Sequence, residues 1–282
     1  MASKKKMQTD SYLAAMIGKR LQGNVEKMKV TPGDPVHYAI RLSGRALPVN
    51  EAIGHELRIT FSGRINCVSC GVVVLNPVGQ GFCAQCFATS PEASECIMRP
   101  ELCRAHVHEG RDVEWEEQNH NQPHVVYLAV SGGLKVGVTR ETQVPVRWID
   151  QGAERAMVIA RVPYRMLAGA IEVFLKNHLS DKTNWQRMLK NQHGDAVLER
   201  ERQTVHALLR DRFGEYLDTE SAETALTYPV LRYPDKVKST NLQKQPEVSG
   251  VLEGIRGQYL LFSGGQVLNL RNHAGYHVQV EF

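Results

Sequence analysis

Residues 37–42 and 56–61 alternate, imperfectly, between apolar and polar side chains, with Gly and Pro between the two runs. A period of two predicts strands with one buried face. Residues 124–130 are apolar almost throughout, Ser131-Gly132-Gly133 forms a turn, and residues 134–139 supply a second apolar run. Together they predict a β-hairpin. The period then lengthens. Leu167, Ile171, Phe174, Leu175 and His178 recur at three- and four-residue intervals, which places them on one helical face. Residues 185–217 are charged and helical in composition, with Leu198, Val205, Leu208, Leu209 and Phe213 as an apolar stripe. Residues 222–246 are polar and contain proline, and read as loop. Strand patterns return over 250–255 and 258–262, with Gly264-Gly265 as a hairpin turn.

These patterns predict an α+β, multi-domain chain. Its layout is an N-terminal arm (1–17), a β-rich region (18–66), a cysteine module (67–120), a central domain with following helices (121–217), a linker (218–247) and a small β-rich C-terminal region (248–282). The last would form a small barrel-like sheet with which 18–66 pairs. A length of 282 residues suits about two domains. A formal net charge of +4 permits a polyanionic partner without demanding one. Lys4, Lys5 and Lys6 would contact phosphates or serve as a solubilising tail. No signal-peptide core follows the N-terminus, and no apolar run reaches membrane-spanning length. The expectation is therefore a cytoplasmic protein without membrane contact, whose cysteines stay reduced.

In that setting the six cysteines read as metal ligands or redox centres. Cys67 and Cys70 form one CxxC pair, Cys83 and Cys86 a second, twelve residues apart. Each pair offers two thiolates from one tight turn, and together they complete the four-sulfur tetrahedron that structural zinc prefers. Cys96, Cys103 and His106 suggest a second site, with His120 favoured over His108 as fourth ligand. Phe82 and Phe87 flank the second CxxC pair, either covering the metal or offering a stacking surface to single strands.

The central domain resembles the GIY-YIG nuclease superfamily. Val125-Val126-Tyr127 stands where the first tripeptide of that family would be, and Lys135-Val136-Gly137 where the second would be. Arg147 follows Gly137 by ten residues, Glu172 lies on the next helix, and Asn184 sits where the family often carries an Asn. Lys135 in place of the second Tyr is similar to the branch found in phage-type proteins. Most of the chain, from the cysteines through residues 123–128 and 182–185, also resembles an uncharacterised bacterial domain-of-unknown-function family with a zinc-ribbon-like cysteine module. That family carries a Cys where this chain has His120.

The nuclease resemblance implies Mg²⁺- or Mn²⁺-dependent cleavage of DNA or RNA. Glu172 would hold the metal, because magnesium takes one or two carboxylates and completes its shell with water and phosphate. Arg147 would pair with phosphate, Tyr127 would help deprotonate water, and Lys135 and Asn184 would contact the nucleic acid. Two other readings compete: a non-catalytic nucleic-acid binder on a degenerate nuclease fold, and a zinc-organised scaffold for protein partners. Singly, Tyr127 fits a core aromatic, Arg147 a partner of Asp150, and Glu172 a helical ion pair with Lys176.

Overall fold

A computed structural model of the chain describes residues 20–179 and 184–282; the basic arm with Lys4, Lys5 and Lys6, and Lys182 and Thr183 farther on, lie outside the described residues. The chain divides into two compact units. The first comprises the described part of Met1–Lys29, His37–Gly81 and Pro229–Phe282; the second comprises Val30–Val36 and Phe82–Tyr228.

The first unit is built on one ten-stranded sheet. Its early strands are β1 (Arg20–Thr31), β2 (His37–Leu42), β3 (Arg45–Pro48), β4 (Glu56–Asn66) and β5 (Val73–Val74). Its late strands are β10 (Lys238–Ser239), β11 (Glu247–Arg256), β12 (Tyr259–Phe262), β13 (Gln266–Asn269) and β14 (Tyr276–Glu281). The order is β10-β13-β12-β11-β4-β14-β1-β2-β3, with β5 on β4. The described part of 18–66, from Arg20 on, and 248–282 therefore share a sheet, and its strands follow an open order rather than a separate C-terminal barrel. Alternation drives the pairing. Tyr38, Ile40 and Leu42 are buried on β2, Leu57 and Ile59 on β4, Val278 and Val280 on β14. Exposed Glu56 and Arg58 take the intervening positions of β4.

The second unit holds a four-stranded antiparallel sheet of β6 (His124–Val130), β7 (Leu134–Arg140), β8 (Arg155–Val162) and β9 (Thr224–Ala225), in the order β7-β6-β8-β9. Its helices are α1 (Ala84–Thr89), α2 (Val113–Asn119), α3 (Val146–Asp150), α4 (Arg165–Leu175), α5 (Trp185–Leu189) and α6 (Leu198–Phe213). All seven residues of β6 are buried, as expected of a strand covered on both faces. Val126, Leu128 and Val130 meet Ala168, Ile171 and Leu175 of α4 and Leu198, Val205, Leu209 and Phe213 of α6. Val125, Tyr127 and Ala129 face the other way, towards Trp148, Ala153, Ala156 and Val158. The stretch read as a linker is tied down at several points. β9 pairs with β8, β10 pairs with β13, and the Tyr228 hydroxyl donates to Ala153 O at 2.6 Å. No helix among the described residues is long and apolar enough to cross a membrane.

The α6 stripe is narrower than the sequence suggests, because Leu208 is 36% exposed whereas Leu209 is fully buried. Leu209→Ala should lower unfolding free energy by about 2–5 kcal/mol, and Leu208→Ala by less than about 1 kcal/mol. Urea titrations of the two variants check the difference.

Candidate metal centres and the Tyr127 site

Cys67 follows β4 directly, and the chain turns at once. Gly71 N donates to Cys67 O at 2.9 Å, and Cys67 N to Val72 O at 2.8 Å. Gly71 closes this turn at a φ of 76°, which costs a glycine little. The second CxxC pair enters a helix instead. Cys83 is the N-cap of α1, its Sγ accepting from Cys86 N at 3.4 Å. The four sulfurs of Cys67, Cys70, Cys83 and Cys86 lie within 4.8 Å of one another, a group that could hold a metal ion. Of the flanking aromatics, Phe82 is buried and Phe87 is exposed.

A second group joins Cys96, Cys103, Glu116 and His120, again with ligand atoms within 4.8 Å, and all four residues are buried. Cys96 lies in a 3-10 turn at Glu95–Ile97, and Cys103 caps the next turn at Pro100–Leu102. Glu116 and His120 stand four residues apart along α2 and its cap, hence on one face. Asp112 starts that helix by accepting from Trp115 N at 3.0 Å. Gly110 makes room for the carboxylate: a Cβ there would lie 2.4 Å from Glu116 Cγ.

Glu116 takes the place in this group that the sequence reading gave to His106. The His106 ring lies outside it, stacked on Tyr164 at 4.6 Å with the planes 7° apart. His108 is also outside, exposed and 3.5 Å from Glu117. The four members interact strongly. Glu116 Oε2 contacts His120 Nδ1, and Cys96 Sγ lies 3.8 Å from the same nitrogen. Hydrogen bonding with Cys103 holds the Cys96 thiol well below its usual range and pushes Cys103 up. Burial raises Glu116.

Tyr127 centres a third constellation. It pairs across the hairpin with Gly137, and its hydroxyl lies over that glycine. A Cβ at position 137 would sit 2.6 Å from the oxygen, so only glycine fits. The hydroxyl donates to Gln151 Oε1 at 2.8 Å, and its own oxygen accepts from the Arg147 guanidinium. Trp148 presents its ring to Tyr127 at 5.9 Å. Glu172, buried on α4, lies within electrostatic range of the hydroxyl and 3.6 Å from Lys176 Nζ. Tyr127 of β6 and Arg147 of α3 thus meet on one face of the sheet, and Glu172, on the helix that packs on the other face, acts on Tyr127 through its charge.

Lys135 is buried on β7, opposite Ala129, on the face that Tyr127 shares. Asn184 is exposed and caps α5, accepting from Arg187 N at 3.1 Å. That hydrogen bond commits its side chain to the helix end.

The role of base fits Tyr127 poorly. Its side chain is completely buried, its proton is given to Gln151, and burial pushes the phenol above its ordinary range. A phenolate at neutral pH would need the opposite environment. The geometry suits a hydrogen-bonding post for Arg147.

The sequence profile of the family described as "Protein of unknown function (DUF2797)" matches residues 54–278. The chain belongs to the DUF2797 family. No curated protein and no solved structure matched it. Within this DUF2797 chain, sequence reasoning missed Glu116 and Gln151. The signal for Glu116 was its four-residue spacing to His120; Gln151 had none.

Metal analysis of reduced DUF2797 protein checks the ligand assignment. Cys103→Ser and Glu116→Gln should each lose the metal of the second group and keep that of the first. His106→Ala should keep both.

Proposed function

We propose that this DUF2797 protein is a zinc-containing nucleic-acid-binding protein that engages phosphodiesters at Arg147 and, with Mg²⁺ or Mn²⁺, cleaves them. The observation that carries this reading is the contact of Tyr127 with Arg147, with the Glu172 charge in range of the tyrosine, in the order that the GIY-YIG resemblance implies. The hairpin, the Arg-bearing helix and the Glu-bearing helix also follow one another in that order.

Zinc is the metal that both cysteine groups suit. A Zn–S bond of about 2.3 Å sets tetrahedral sulfurs about 3.8 Å apart, within the span of the first group. The second group offers two sulfurs, one nitrogen and one oxygen, a set that zinc also accepts. Four protein ligands leave no open position, so both sites are structural. Glu172 fits a magnesium-type ion only with help. It is one carboxylate with Lys176 beside it, so the ion would share its shell with substrate phosphate and water. Bound there, it would supply Lewis-acid charge at the phosphate.

The chain's own residues divide the remaining work. Arg147, braced by the Tyr127 oxygen, presents its planar fork to a phosphate oxygen. Water attacks phosphorus and gives up a proton to solvent, the bond to the leaving oxygen breaks, and that oxygen takes a proton from solvent. Tyr127 keeps its own proton throughout. The burial of Tyr127 equally favours a non-catalytic binder, in which Arg147 grips phosphate and no bond breaks.

Binding of single- and double-stranded DNA and RNA, titrated against salt, tests the shared part. Affinity should fall steeply with salt, and Arg147→Ala should reduce the slope of log affinity against log salt by about 1. Salt-independent or absent binding would favour a scaffold for protein partners. Cleavage with Mg²⁺ or Mn²⁺, lost in Glu172→Gln with affinity retained, separates the nuclease from the binder.

A further inference from the structure

Arg165, the first residue of α4, is turned away from solvent and towards the second cysteine group. Its Nε and Nη2 donate to Cys96 O at 3.2 and 2.9 Å, and Nη2 also to Ile97 O at 3.0 Å. Its backbone N donates to His120 O at 3.0 Å. One residue therefore holds the main chain of two of the four candidate ligands. Met166 packs against Cys96, Cys103 and Ala105. One turn later Gly169 rides on the loop between the two cysteines, where a Cβ would be 2.2 Å from Glu101 N. Glu172 is the next residue on that line. Arg165, Gly169 and Glu172 are spaced i, i+4, i+7, and share one face of α4. The charges of Arg147 and Glu172 both act on Arg165.

We propose that the Cys96/Cys103/Glu116/His120 metal centre is the anchor of α4 and that Arg165 is the positioning residue through which its occupancy places Glu172 in the Tyr127–Arg147 site. The role given to Glu172 rests on the function proposed above; the anchoring of α4 does not. Without the metal, two thiols, a carboxyl and an imidazole would not remain packed together, and the carbonyls that Arg165 holds would move with them. The helix would lose the contact that fixes its start, and Glu172, seven residues along, would lose its place. Outer residues that orient a metal ligand typically change metal affinity about 10- to 100-fold when mutated.

The test uses full-length zinc-loaded protein. Hydrogen exchange is followed over residues 165–175 in wild type, Arg165→Gln, Arg165→Lys, Cys103→Ser and Cys70→Ser. In parallel, Tb³⁺ luminescence sensitised by Trp148 is titrated, counting only the part that Glu172→Gln abolishes. Arg165→Gln should keep the full zinc content, exchange about tenfold faster over α4 and bind Tb³⁺ at least about tenfold more weakly. Arg165→Lys, with one donor group for two carbonyls, should fall between it and wild type. Cys103→Ser should match Arg165→Gln with one metal fewer, and Cys70→Ser should leave α4 protected. Unchanged exchange and Tb³⁺ affinity in Arg165→Gln would overturn the inference, as would loss of α4 protection in Cys70→Ser. A wild type with no Glu172-dependent Tb³⁺ signal would remove Glu172 as a metal holder, and the exchange over 165–175 would still decide whether the centre anchors α4.

Discussion

Two thiols, a carboxyl and an imidazole buried within 4.8 Å of one another set a charge requirement that the second unit has to meet. Water does not reach these groups, and buried charge is costly unless paired or bound to a cation. The mutual hydrogen bond of Cys96 and Cys103, which drives one thiol down and the other up, expresses that conflict. A divalent cation would resolve it, because thiolate, carboxylate and neutral imidazole are the forms that metal binding demands. The segment around these ligands has little else to organise it. Between Cys96 and His120 the regular structure is three 3-10 turns and one short helix, and the apolar cluster there is Cys96, Cys103 and Ala105 with Met166 against it. Hydrophobic burial of that size cannot offset the entropy of ordering so much irregular chain.

The sheet side of the same unit rests on different physics, and there the sequence was a good guide. Apolar runs at 124–130 and 134–139 predict a hairpin, and β6 and β7 form one. Those signals are local: a strand of seven buried residues and a Ser-Gly-Gly turn need no distant partner to be recognised. The CxxC spacing is local for the same reason. Glu116 was hidden because carboxylates are common on exposed helix faces, and only the folded chain shows this one buried beside His120. His106, three residues after Cys103, has a ligand-like spacing, yet its ring goes to Tyr164. Pairings such as β4 with β14 and β11 join segments nearly two hundred residues or more apart, and no local period encodes them. The two-residue strands β9 and β10 are too short to carry any period, which is why 218–247 reads as linker.

Gly137 shows how a short motif can have a structural reason before it has a chemical one. The glycine is required because the Tyr127 hydroxyl lies against its Cα from the facing strand. That packing alone would preserve a Tyr opposite a Gly in a domain with no activity, so the pair is weak support for catalysis. Arg147 is stronger support. A guanidinium that donates to a neutral phenol oxygen keeps its full charge, and its planar fork carries five N–H donors. On the proposed reading, a phosphate would supply the negative charge that Tyr127 does not.

The two halves of the second unit meet on α4. One end of this helix is fastened to the cysteine segment by Arg165, and its apolar face packs on the sheet through Ala168, Ile171 and Leu175. Packing against a sheet resists lifting better than sliding, because ridges of side chains can shift by a turn at modest cost. The hydrogen bonds from Arg165 oppose that sliding, since they are directional and reach fixed carbonyls. In the role proposed for it, Glu172 would act only when held in range of Arg147 and Tyr127, and would need this second kind of restraint. On the proposed reading, that would account for a closed metal centre at the start of the helix that carries the acidic residue.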